Sequence, residues 1–140
     1  AMPGIRLGYG ITSDAGLTEK MEQMRQPWSV SVPAQEAGIA ALDEETRVRE
    51  AGRLISEERS FLEEQLQRLG IEYVPSKANY ILMRSGINLF HELKKHIILI
   101  RDCSDYRGLE KGWYRTAVRG RRENQILIQA LEKIIKEAGR

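Results

Sequence analysis

EETRVREAGRLISEERSFLEEQLQRLGIEYV, residues 44–74, contains the change of period on which the fold turns. Val48, Ala51, Leu54, Ile55, Leu62, Leu66 and Leu69 recur at steps of three and four, with acids and arginines between them, so 44–69 reads as one long amphipathic helix. Gly70 supplies its stop, and the pattern then shifts to that of a strand over 71–74. Working toward the C-terminus, a Pro75-Ser76 break precedes a second strand at 79–83, and Asn88 caps a short helix reaching His96. Strands follow at 97–100 and 113–118. The last element is a helix over 123–138, with Leu127, Leu131, Ile134, Ile135 and Ala138 on one face and Gly139 at its close.

Working toward the N-terminus, 34–42 is small and apolar (Ala37, Gly38, Ile39, Ala40, Ala41), the composition of a helix packed closely against another surface. Pro27 and Pro33 make 26–33 a connector, 15–25 reads as helical, and 6–12 as a short strand ending at Ser13-Asp14. The pattern is α+β. A three- to four-stranded, mainly antiparallel sheet with the long helices on one face buries every apolar stripe at once. We divide the chain into 1–33, a separate N-terminal piece with its connector, and 34–140, a small domain.

Charge and composition exclude several classes. Twenty-two basic residues against 20 acidic leave a net charge of +2, too small for bulk attraction to nucleic acid. No apolar run approaches the roughly 20 residues of a membrane span. Ala1-Met2-Pro3-Gly4-Ile5-Arg6 has no signal-peptide pattern, so a reducing, cytoplasmic setting is expected. Cys103 stands alone, and with His91 and His96 it forms no metal-ligand spacing, so no structural metal is expected and the thiol reads as buried and inert. Arg119, Arg121 and Arg122 form a basic cluster without neighbouring aromatics, which reads as a solvated turn before the last helix.

Specific chemistry enters with Pro3-Gly4-Ile5-Arg6-Leu7-Gly8-Tyr9, which resembles the segment after the cofactor lysine in fold-type I pyridoxal-phosphate enzymes, the aminotransferase class I and II superfamily. Further matches follow in order: Pro27-Trp28-Ser29-Val30, Pro75-Ser76-Lys77-Ala78-Asn79-Tyr80, Ile98-Leu99-Ile100-Arg101-Asp102-Cys103 and Trp113-Tyr114-Arg115. Two branches are close, histidinol-phosphate aminotransferases and L-threonine-O-3-phosphate decarboxylases. Arg101-Asp102-Cys103-Ser104-Asp105-Tyr106-Arg107-Gly108-Leu109 and Arg115-Thr116-Ala117-Val118-Arg119 resemble the decarboxylases, while Ala117 and Arg119 depart from the aminotransferase pattern.

The resemblance implies that 1–33 is a remnant of a large cofactor-binding domain and that 34–140 is the C-terminal small domain. It implies that Arg6 binds the cofactor phosphate, that Arg115 grips the substrate carboxylate and that Arg101 helps hold the substrate by its phosphate. Planar guanidinium groups suit all three tasks, since each donates two parallel bonds to an anion. Apart from the family, Arg6 is equally a surface arginine beside a Gly-rich turn, and Arg101 and Arg115 read as solvated strand ends before they read as binding groups.

The implied reaction of the intact homodimer is conversion of L-threonine O-3-phosphate to (R)-1-aminopropan-2-yl phosphate and carbon dioxide in cobalamin biosynthesis. The resemblance implies that the Schiff-base lysine, by the family's spacing from Gly4 and Arg6, lies just before Ala1; Lys20, Lys77, Lys94, Lys95, Lys111, Lys133 and Lys136 all lack a Ser-x-x-Lys setting and are no substitute. The chain alone is therefore expected to be catalytically incomplete and not to hold pyridoxal 5'-phosphate. The alternatives are a histidinol-phosphate-type aminotransferase and, from another class, a noncatalytic α+β interaction module.

Overall fold

Alternate residues of two central strands set the architecture. In β2 (Tyr80–Arg84), Ile81 and Met83 are fully buried while Tyr80 and Arg84 are exposed; in β4 (Trp113–Ala117), Tyr114 and Thr116 are buried. A period of two with one buried face is the signature of an antiparallel sheet covered on one side. The computed structural model describes residues 2–139, and among them is a four-stranded antiparallel sheet in the order β1-β2-β4-β3, where β1 is Glu72–Val74 and β3 is Arg101–Asp102. Leu82 lies opposite Arg115, and Arg101 also lies opposite Arg115.

Three helices supply the covering layer. Leu62 and Leu66 of α3 (Glu45–Arg68), Leu89 and Leu93 of α4 (Leu89–Lys95), and Leu127, Ile128, Leu131 and Ile134 of α5 (Arg121–Ala138) close over Ile81, Met83 and Tyr114. Asn88 caps α4 as expected, its side chain accepting the His91 N–H at 3.1 Å. Gly112 turns the chain into β4 at φ +94°, and a Cβ there would stand 2.7 Å from the Ser85 carbonyl oxygen. Only glycine fits that turn.

A buried carboxylate ties the two long helices together. Glu58 of α3 accepts Arg121 Nε at 3.0 and 3.1 Å and Asn124 Nδ2 at 2.9 Å, and the Arg121 guanidinium lies 4.1 Å from the Phe61 ring. Asn124 also holds both backbone groups of Arg119, at 3.1 and 2.8 Å. The basic cluster is thus not merely a solvated turn. Helix α5 begins at Arg121, and that arginine supplies the counter-charge to a carboxylate whose other side-chain donor, Asn124, is neutral.

Two expected strands do not form. Residues 97–100 instead end α4: Ile98 N–H reaches Leu93 O and Ile97 N–H reaches Lys94 O, both at 3.0 Å, with Ile97 at φ +61°. This is the Schellman closure, normally completed by glycine. Helix termination overrides the β-propensity of the Ile-Ile-Leu-Ile run, and pairing starts only at Arg101. Residues 6–12 are not a strand either: Arg6 takes φ +58° after a 3-10 turn, Pro3–Ile5, and no ladder partner is formed there.

By contact density the chain separates into a unit up to Val48 and a unit from Arg49 onward. The first contains α1 (Ala15–Met24) and α2 (Val32–Leu42). Leu7 lies over Gly38 of α2 so closely that a Cβ at Gly38 would stand 2.4 Å from its Cδ2, which gives the small residues of α2 their purpose. Tyr9, Ile11, Met24 and Trp28 remain at least 85% exposed.

Candidate functional site

The sheet face away from the helices carries arginines laid on aromatic rings. Arg115 lies 5.0 Å from the Tyr80 ring centroid, Arg84 5.7 Å from Trp113 and Arg101 5.6 Å from Tyr106. The pairing follows from register, because Tyr80 sits opposite Ala117 and so lies diagonally across from Arg115 on the same face. Stacking fixes the plane of a guanidinium yet leaves its N–H edge open to an anion.

Tyr80 itself is placed by the break before it. Glu63 accepts the Ser76 N–H at 3.1 Å, Ser76 Oγ accepts the Ala78 N–H at 3.0 Å, and Arg59 donates to the Ala78 carbonyl at 3.1 Å. Val118 N–H then bonds the Asn79 carbonyl at 2.9 Å, locking β2 against the end of β4. The Pro75-Ser76 break is therefore a fixed strut anchored on α3.

Arg101 and Arg115, both singled out by the sequence, are brought together as direct cross-strand partners. Their surroundings differ. Arg101 is ion-paired with Asp105, and that neighbouring carboxylate raises its pKa. Among the described residues Arg115 has no carboxylate partner. Just after β3, Cys103 is 2% exposed; its N–H donates to the Trp113 carbonyl at 2.9 Å, and burial pushes its thiol pKa up. Asp102 accepts the Ser104 N–H at 2.9 Å, which holds its carboxyl below the usual range. Tyr80, Asp105 and Tyr106 were not among the sequence candidates. Alternation in β2 was the available signal for Tyr80.

Arg6 belongs to the other unit, exposed and in a left-handed backbone conformation. Gly4 and Gly8 flank it, and a Cβ at either would meet nothing within 4 Å. The segment suits close backbone approach to a phosphate.

Residues 1–133 match the sequence model described as Aminotransferase class I and II. The chain belongs to the class I and II aminotransferase family. Family members use pyridoxal phosphate. Threonine-phosphate decarboxylase of Salmonella typhimurium is 35% identical over 139 residues, which cover 96% of this chain and 38% of that protein. Histidinol-phosphate aminotransferase of Nitratidesulfovibrio vulgaris is 36% identical over 140 residues, covering 98% and 37%. The crystal structure of histidinol-phosphate aminotransferase from Clostridium acetobutylicum superposes with a TM-score of 0.88 at 31% identity, covering 98% of this chain and 43% of that one. The chain thus spans well under half the length of these aminotransferase-family relatives, and its α+β fold is that of their C-terminal part.

Proposed function

We propose that this chain is the small-domain end of a pyridoxal-phosphate decarboxylase acting on L-threonine O-3-phosphate, releasing carbon dioxide and leaving (R)-1-aminopropan-2-yl phosphate for cobalamin biosynthesis. The carrying observation is the pair Arg101 and Arg115, two stacked guanidinium groups facing the same side from neighbouring strands. A substrate with a carboxylate at one end and a phosphate at the other calls for two such groups side by side. Sequence in the loop after Arg101 and the Salmonella relative favour the decarboxylase.

In this reading Arg115, unopposed by a carboxylate, grips the substrate carboxylate and sets the direction of the bond to be broken, while Arg101 takes the phosphate. Arg6, between its open glycines, contributes to the cofactor phosphate. Pyridoxal phosphate, when bound, supplies the electron sink for the charge left at Cα. The lysine that joins it, the rest of the large domain and the second subunit of a homodimer belong to the intact protein of this proposal.

A histidinol-phosphate aminotransferase is the second reading, favoured by the Clostridium superposition. Its substrate also carries a phosphate, so Arg101 would keep its task. The product separates the two. Full-length protein supplied with L-threonine O-3-phosphate is expected to release carbon dioxide without transferring its amine to 2-oxoglutarate, and Arg115→Lys is expected to lower kcat/KM about 100-fold by losing the bidentate grip. Amino transfer from histidinol phosphate, with no carbon dioxide from threonine phosphate, would establish the aminotransferase.

A further inference from the structure

We propose that Asp105 is a specificity-determining residue: its carboxylate occupies Arg101, so that a phosphate dianion displaces it while a carboxylate ligand does not. The proposal rests on the reading of Arg101 as an anion-binding group and names what selects the anion.

Arg101 and Arg115 lie directly opposite on β3 and β4, an arrangement in which like charges repel. Asp105 offsets that repulsion at Arg101 alone, for among the described residues Arg115 has no carboxylate partner. The Arg101–Asp105 side chains are 50% and 64% exposed, so the pair is reached by solvent and is readily exchanged.

Neither partner depends on the pair for its position. The loop is held by Ser104 N–H on Asp102 Oδ1 at 2.9 Å and Tyr106 N–H on the Cys103 carbonyl at 3.0 Å. The Tyr106 ring, its centroid 5.6 Å from the guanidinium, is a contact of Arg101 that does not involve the carboxylate. Displacement therefore costs one exposed ion pair and no refolding of the loop.

Selectivity follows from what is exchanged. An incoming carboxylate replaces a carboxylate that is already tethered four residues away, and gains nothing. Phosphate brings nearly twice the charge and three strong acceptor oxygens, and so outcompetes Asp105. The same residue keeps the carboxylate end of a two-anion substrate on Arg115, which sets the substrate's direction across the strand pair.

The test uses the 140-residue chain with two probes, inorganic phosphate and acetate, followed through the Arg101 Nε–H resonance. Wild type is expected to respond to phosphate well before acetate. Asp105→Asn, at an exposed site, is expected to lower the urea midpoint only slightly, as loss of one exposed ion pair does, and to tighten acetate at Arg101 about fivefold, roughly the upper worth of such a pair, lowering the phosphate-over-acetate preference. An unchanged preference in Asp105→Asn overturns the proposal, as does the same change in acetate affinity when Arg101→Gln is also present and total binding is measured. These readouts involve no turnover. A full-length enzyme that fails to release carbon dioxide would therefore count against the decarboxylase reading while leaving the anion preference of Arg101 to its own result.

Discussion

Ile97 shows how a single residue can carry a cost visible only in the backbone. Its side chain is 93% exposed, so it buries nothing, yet its φ of +61° places a β-branched residue where glycine is preferred. The left-handed conformation costs an L-residue roughly 1–2 kcal/mol. Ile97→Gly is therefore expected to stabilise the chain by about 1 kcal/mol, part of the strain relief being lost to the greater freedom of glycine when unfolded. Urea denaturation of the two forms checks this, and a lower midpoint for the glycine variant would contradict it. The same residue explains a strand that the sequence promised and the molecule lacks. Four consecutive β-favouring residues carry no information about where the preceding helix ends, and the hydrogen bonds that end α4 take precedence.

Helix α3 shows the element scale. It has 24 residues and is therefore about 36 Å long, whereas a five-residue strand such as β2 extends only about 17 Å. The helix is longer than the strands it packs on. One unbroken apolar stripe thus has two fates: Leu62 and Leu66 are fully buried, while Leu54 is 49% and Val48 67% exposed. Leu62→Ala is expected to cost about 2–5 kcal/mol and Leu54→Ala about 0.5 kcal/mol. Equal losses in thermal or urea unfolding would mean that the stripe is buried along its whole length. Periodicity in 44–69 specified the helix and its stripe correctly; how far along that stripe the sheet reaches depends on strand length, which periodicity in the helix cannot express. Helix α5 adds a polar counterpart, since Glu58 and Asn124 are buried against each other from elements 66 residues apart.

At the scale of the molecule, the unit from Arg49 onward holds the hydrophobic core, while Ala34 is the buried apolar residue described in the unit up to Val48. Helix α1 has ten residues and no buried side chain. A helix of that length without packing is marginal in water. Hydrogen exchange of the chain is expected to be fast throughout α1 and at least about 100-fold slower in β2, β4 and the middle of α5, where opening requires loss of the core. Comparable protection in α1 and β4 would show that α1 is stabilised by packing that its exposure does not reveal. The resemblance in Pro3–Tyr9 pointed to a phosphate-binding arginine, a role that remains part of the proposal, and among the described residues the strand expected over 6–12 joins no sheet.

Local rules in the chain were sufficient for the α+β class, the long helices and the caps at Asn88 and Gly70, because period and residue chemistry act over a few positions, whereas Arg101 and Arg115 were singled out by family resemblance alone. Which side chains share a face across strands was beyond the reach of local rules. Tyr80 beneath Arg115, Arg121 on Glu58 and the two arginines side by side each depend on register between segments far apart in sequence. Register is set by burying Ile81, Met83, Tyr114 and Thr116 together against the helices, a condition met only once the whole layer has closed.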